Sequence, residues 1–450
     1  MKKRILVLIV GLWAGLNLIS CGGGKKSGPP SGLTHRVLAS QGVSTGITFP
    51  GLVFVNGQND TIARVAPLSG GNSPGLMVLS PSRNIVVAFD AATNAVYADD
   101  TAREVSIGRV SLPGPTSSIV VPTADPAAYA AVPTATINGF TFQGAVESMN
   151  FTNGSLLTIA VPNAQNVFSN STGSQLLAFS ADSDNVWVLS PGAAAPPVDT
   201  NCVTNFPSAP PANPVCTMIQ DSRFSRPVFA IVNGSTAYIL NCGFQCGGTV
   251  NGQPAPASVA IFDLGALAIT QTIPVDAATM AFLSGSTLYV AGTPVSPGSP
   301  DNGLCPSSQN TAATNCGVLD IVDLGSMQVT GSVSITDGFH HRMDMTTNGQ
   351  LFIGSRNCTN IGNVNNPNGE VRGCLSIYHT ADGSLVIPPD NGDVNGLQGF
   401  TTRNIEYVAE NGQLRVYDTT KDILLINDFL PQGNINIVGY IGDVKAIDFF

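Results

Sequence analysis

Ser286-Thr-Leu-Tyr-Val-Ala-Gly292 is followed by Gly317-Val-Leu-Asp-Ile-Val-Asp323 and then by Gln328-Val-Thr-Gly-Ser-Val-Ser334. Each is a short run rich in β-branched residues and bounded by Gly, Asn, Asp or Ser, the pattern of a strand between turns. The same order recurs on either side. Ser235-Thr-Ala-Tyr-Ile-Leu-Asn241 leads to Ala257-Ser-Val-Ala-Ile-Phe-Asp263, Gln350-Leu-Phe-Ile-Gly-Ser355 to Gly373-Cys-Leu-Ser-Ile-Tyr378, and Asn404-Ile-Glu-Tyr-Val-Ala409 to Gln413-Leu-Arg-Val-Tyr-Asp418. The equivalent aromatics Tyr238, Tyr289, Phe352 and Tyr407 are 51, 63 and 55 residues apart. Strand groups at such a period point to an all-β architecture built by radial repetition. Composition agrees. With 48 Gly, 31 Pro and 11% charged residues, the chain fits neither a helical bundle nor a disordered polyelectrolyte.

Tyr289-Val-Ala-Gly292 and Ile321-Val-Asp-Leu324 resemble the YVTN-type repeat of WD40/YVTN-like β-propellers, in which a Tyr-Val-Ala-Asn strand precedes a Val-x-Val-Ile-Asp strand. The resemblance implies four-stranded antiparallel blades and carries no activity with it. Earlier stretches fit more loosely: Gly75–Gly114, Ser118–Asn163 and Ala164–Pro227. Seven blades lie between Gly75 and Leu430. Leu52–Val55 with Ile62–Val65 and Ile435–Gly439 with Val444–Phe449 supply a composite closing blade from the two ends. Eight blades is the reading, with seven the alternative. The expected organisation is a signal peptide over 1–20, a tether over 21–49 and one propeller over 50–450.

Lys2-Lys3-Arg4, the apolar stretch Ile5–Ile19 and Ser20-Cys21-Gly22 are the parts of an export signal too short to span a bilayer as a helix. Leu18-Ile19-Ser20-Cys21 resembles the bacterial lipobox, which implies cleavage before Cys21 and acylation of that residue with diacylglycerol and a fatty acid such as palmitate. Several acyl chains anchor a protein stably, at about 0.8 kcal/mol per buried methylene. Gly22, where an inner-membrane retention signal would have Asp, favours the outer membrane of the cell envelope. Losing Lys2, Lys3 and Arg4 leaves 16 basic against 29 acidic residues, a net charge near −13. Nucleic acid, which needs a basic footprint, is excluded as a partner.

Eight cysteines remain, an even number in an exported chain. Their local spacing pairs Cys202 with Cys216, Cys242 with Cys246, Cys305 with Cys316 and Cys358 with Cys374. Zinc is the competing reading, but the C-x₂-C pairs typical of zinc sites are missing.

Sites are harder to read. Asp263, Asp323 and Asp418 end equivalent strands and read as turn caps. His340-His341-Arg342-Met343-Asp344 is the densest polar cluster, so His340, His341 and Asp344 form a candidate channel site. An adjacent His pair on a strand points to opposite faces unless a bulge intervenes. No metal and no cofactor is expected, and the chain has no Gly-x-Ser-x-Gly, His-Glu-x-x-His or phosphate-loop motif. Catalytic residues are therefore not identified. The leading reading is a membrane-anchored binding or scaffolding propeller. The alternatives are a lactonase-like or quinone-dependent dehydrogenase-like propeller enzyme, and a purely structural envelope component. Strand parity places the loops with Cys242/Cys246, Cys305/Cys316 and Cys358/Cys374 on one face, near Phe244, Asn302 and Asn363. That face is the expected surface for a protein, peptide or glycan.

Overall fold

Each sequence repeat is a four-stranded antiparallel sheet, and eight such sheets form the blades of a propeller. The computed structural model describes residues 28–42, 50–123, 127–137, 140–191, 198–199, 216–295, 316–358, 373–388, 392–400, 402–427 and 430–448. Counting strands a to d from the channel outward, blade 1 is Pro74–Leu79, Ile85–Asp90, Ala95–Asp100 and Val105–Ser111. Blades 2 to 7 start with Ser118–Val120, Ala164–Ser169, Pro227–Asn233, Met280–Ser284, Phe339–Met345 and Val394–Phe400. In blade 2 a short parallel strand, Val198–Asp199, extends the outer edge.

Burial explains why the strands read differently in sequence. Ile85–Asp90, the b strand of blade 1, is buried at every position because neighbouring blades cover both its faces. Val105–Ser111 at the rim is largely open to solvent. Eight apolar clusters form, one at each junction between consecutive blades. Leu288 packs toward blade 4 and its neighbour Tyr289 toward blade 6, the period-2 alternation of a strand buried on two sides. The c strands end in the expected caps: Asp263 accepts from the amides of Gly265 and Ala266 at 2.7 and 2.8 Å, and Asp323 and Asp418 do likewise.

The closing blade corrects two boundaries. Its a strand is Ile441–Ala446, and its b, c and d strands are Arg36–Gln41, Gly51–Asn56 and Thr61–Ile62. Part of the stretch expected as tether is thus the b strand of blade 8, with Val37 opposite Ala446 and Ala39 opposite Val444. Arg36-Val-Leu-Ala-Ser-Gln41 is short and polar at both ends, which hid it. Asn434–Ile435, expected in the closing blade, pairs instead with the c strand of blade 7.

Two disulfides are present as expected, Cys242–Cys246 and Cys358–Cys374, so these four cysteines are not zinc ligands. Cys216 and Cys316 are also disulfide-bonded. The partners that spacing gives them, Cys202 and Cys305, lie outside the described residues, as do Cys21, Asn302 and Asn363. Non-reducing peptide mapping should recover Cys202–Cys216 and Cys305–Cys316 as two separate linked pairs. A crossed pair such as Cys202–Cys316 would contradict the local-loop reading.

Candidate functional site

With a to d strands antiparallel, b–c connections and the loops joining one blade's d strand to the next a strand open on the same face. The Cys242–Cys246 bridge closes the turn Gly243–Cys246, the only helical element among the described residues. Inside that turn Gln245 reaches sideways. Its Oε1 accepts from the Thr293 amide of blade 5 at 3.0 Å, and its Nε2 donates to the Gly338 carbonyl at the start of blade 6 at 3.4 Å. Thr293 Oγ1 donates to the same carbonyl at 2.8 Å. One disulfide-closed turn therefore ties three blades together. Beside the second disulfide, the Asn357 amide donates to Asp393 Oδ1 at 2.8 Å, tying blade 6 to blade 7.

At the channel mouth on this face the a strand of blade 6 is irregular. The register with the b strand shifts between His340, opposite Ser355, and Arg342, opposite Gly354, leaving His341 as the extra residue of a bulge. His340 points into the protein. It is fully buried with Nε2 2.9 Å from the Thr336 carbonyl, and burial pushes its pKa down to about 4. The His341 ring has Nδ1 3.3 Å from the Phe339 carbonyl, while Nε2 has no protein partner. Burial first, then the Arg342 and Arg356 charges, hold it well below the ordinary histidine range. Both imidazoles are neutral at pH 7.

The two arginines share one residue of the next blade. Arg342 Nε donates to the Asn395 carbonyl at 2.8 Å, and Arg356 Nε donates to Asn395 Oδ1 at 2.9 Å. Asn395 Nδ2 in turn donates to the Tyr440 hydroxyl at 2.9 Å. Burial and then Arg342 lower the Arg356 pKa; Asp393, Tyr440 and Asp443 offset this in part. On the same face Phe339, which precedes His340, and Tyr440 with its neighbour Val438 in the connection leading into Ile441 have 43%, 55% and 56% of their surface exposed. Arginine and aromatic side chains on a tied-down surface are what protein recognition sites concentrate.

Asp344 does not join this site. It lies four residues along the strand from His340, and its Oδ2 accepts from the Gly399 amide at 2.6 Å. It lines a cleft of about 200 Å³ at the opposite mouth, together with Arg83, Thr346, Gln398 and Asp448. A methyl group on Gly399 would sit 2.8 Å from Glu406 Oε2 and 3.4 Å from Asp344 Oδ2, so the two carboxylates converge on the space the missing side chain leaves. Glu406 is fully buried and neither of its oxygens has a partner at good hydrogen-bond geometry. Burial, then Asp344, push its pKa well above the ordinary range. The expected grouping of His340, His341 and Asp344 is thus corrected: one faces the core and the other two serve opposite mouths. Arg356, Asn395, Tyr440 and Glu406 were missed. Two of them left a signal in the sequence: Glu406 as a charge inside the apolar run Ile405–Ala409, and Asn395 as an alternate polar position of Asp390–Gly396, which resembles the start of a calcium loop.

No protein-family model matches the chain, and no curated protein matches it by sequence. Solved structures of similar fold include the dihydro-heme d1 dehydrogenase NirN in complex with DHE, at 12% identity and a TM-score of 0.56 over 87% of this chain and 72% of that one. A eukaryotic initiation factor matches at 11% identity and 0.50, over 92% and 98%. Hydrazine synthase of Kuenenia stuttgartiensis matches at 15% identity and 0.45, over 69% and 78%. Such likeness concerns fold alone. The eight sheets described above make the chain an eight-bladed β-propeller.

Proposed function

We propose that the chain is an exported, lipid-anchored propeller that serves the cell envelope as a binding module, taking its partner at the mouth that carries the disulfides. The observation that carries this reading is the Gln245 tie, which holds connections of blades 4, 5 and 6 in one arrangement before any partner arrives. Ordering loops during association costs conformational entropy, and a surface ordered in advance avoids that cost. Disulfides support an oxidising compartment, and the lipobox-like segment ending at Cys21 supports the anchor.

The test uses the whole lipoprotein in the producing cell. Photo-crosslinking residues at Phe339 and Val438 should give a defined adduct that the same residues at the rim positions Val105 and Ile423 do not. In the same cells Cys21→Ala should leave a precursor 20 residues longer that takes up no labelled fatty acid. Adducts from the rim positions alone overturn the choice of face, and a labelled Cys21→Ala protein overturns the anchor.

A further inference from the structure

We infer that the mouth bearing Arg342 and Arg356 is an oxyanion site that receives a carboxylate or phosphate group of the ligand. The inference rests on the reading of this face as the binding face and gives its ligand a chemistry. Eight other basic side chains described in this acidic protein have a carboxylate within 4 Å. Arg342 and Arg356 have none. Arg64 and Arg109 lack one too, but Arg64 is exposed and Arg109 lies over the Tyr97 ring, whereas Arg342 and Arg356 are partly buried and lie close enough to repel each other.

Their bonded atoms are also arranged to leave the donor ends open. Each guanidinium is held through Nε by Asn395, on its carbonyl in one case and its side-chain oxygen in the other. The further bond from Arg342, Nη1 to the His341 carbonyl at 3.2 Å, leaves its Nη2 without a protein acceptor. Both Nη atoms of Arg356 are likewise left. Asn395 is 6% exposed and is itself fixed by Tyr440, so the two forks are positioned rather than free to swing. Planar guanidinium forks match the paired oxygens of carboxylate and phosphate, and a fixed fork loses less entropy on bonding them. Asp393, the nearest acidic neighbour on blade 7, is engaged by the Asn357 amide, and Asp443 by Lys445 at 2.9 Å and the Met77 amide at 2.9 Å. Two like charges are thus kept side by side with Asp393 and Asp443 near enough to offset their repulsion in part but with no carboxylate within 4 Å of either, and an incoming anion would relieve the rest.

The test titrates the full mature lipoprotein in neutral detergent with sodium phosphate, sulfate or acetate at constant ionic strength, read by calorimetry. Saturable one-to-one binding is expected for phosphate or acetate. Arg342→Gln and Arg356→Gln should each weaken it by about tenfold or more, and the double variant should abolish it. Arg356→Lys, which keeps the charge and loses the fork, should fall between. Arg223→Gln removes an exposed charge paired with Asp221 and should change nothing.

Phosphate binding without acetate binding assigns a phosphorylated ligand, and the reverse assigns a carboxylate. Absence of saturable binding, or equal affinity in the arginine variants, overturns the site. These outcomes separate from those for the face itself. Adducts at Phe339 that persist unchanged in both arginine variants leave the binding face standing and remove the oxyanion from it. Anion binding with no adducts removes the partner and leaves the site.

Discussion

Arg36→Ala should lower the unfolding free energy by about 3–5 kcal/mol, the usual cost of stripping one partner from a buried ion pair. Arg36 opens the b strand of the composite blade. Its guanidinium contacts Asp448 at 2.5 Å, just beyond the C-terminal a strand, and Glu104 of blade 1 at 2.9 Å. It also donates to the Thr101 carbonyl at 2.5 Å, while the Arg36 amide donates to Asp448 Oδ2 at 2.6 Å. Burial opposes the charge, but Asp448 and Glu104 outweigh it and raise the pKa. The three side chains are 8%, 18% and 7% exposed, so the alanine variant leaves two little-exposed carboxylates without their counter-ion, Glu104 held only by Ser31 and Asp448 only by the backbone amide of residue 36. This one residue joins both ends of the chain to the first complete blade. Urea unfolding measures the effect; a loss below about 1 kcal/mol, the range of an exposed pair, would show that the ring closes without it.

The protein should also be more stable near pH 6 than near pH 8.5, by on the order of 2 kcal/mol. Five buried carboxyls set the sign, Asp320 and Asp344 being raised by burial as well. Burial raises Asp99 and Glu147 to about 7 each and Glu406 well above its ordinary value. Hydrogen bonds offset part of this, including Thr158 Oγ1 donating to Glu147 Oε2 at 2.8 Å. A carboxyl raised in the folded state holds a proton that the unfolded chain has released, so stability falls as pH rises from its unfolded to its folded pKa. His340 and His341 act the other way. Their lowered values mean the unfolded chain takes up protons below about pH 6.5 that the folded protein refuses. The two histidines offset part of the decline between about pH 5 and 6.5; above that they drop out and the decline steepens. Glu406→Gln should flatten the alkaline limb. A urea midpoint that climbs from pH 6 to 8.5 in the parent would reverse the assignment.

The strands and the loop face were legible in the amino-acid sequence because each rests on local chemistry. Ser286–Gly292 and its equivalents carry their burial in their composition, and Cys242 and Cys246 are four residues apart. Even the side on which these bridges lie follows from strand order, since antiparallel strands alternate direction. The eighth blade was legible only in outline. Arg36–Gln41 becomes a strand by pairing with Ile441–Ala446, four hundred residues away. The site was not legible. The register shift at His341 is a property of two strands together, and no single strand pattern records it. Arg342 and Arg356 come from one blade and Asn395 from the next, while Tyr440 enters from the closing segment. Periodicity reports which face of a strand is covered. Which charges meet at the axis, and which are left without a counter-ion, is decided only when the ring closes and sets the inner ends of blades 6, 7 and 8 side by side.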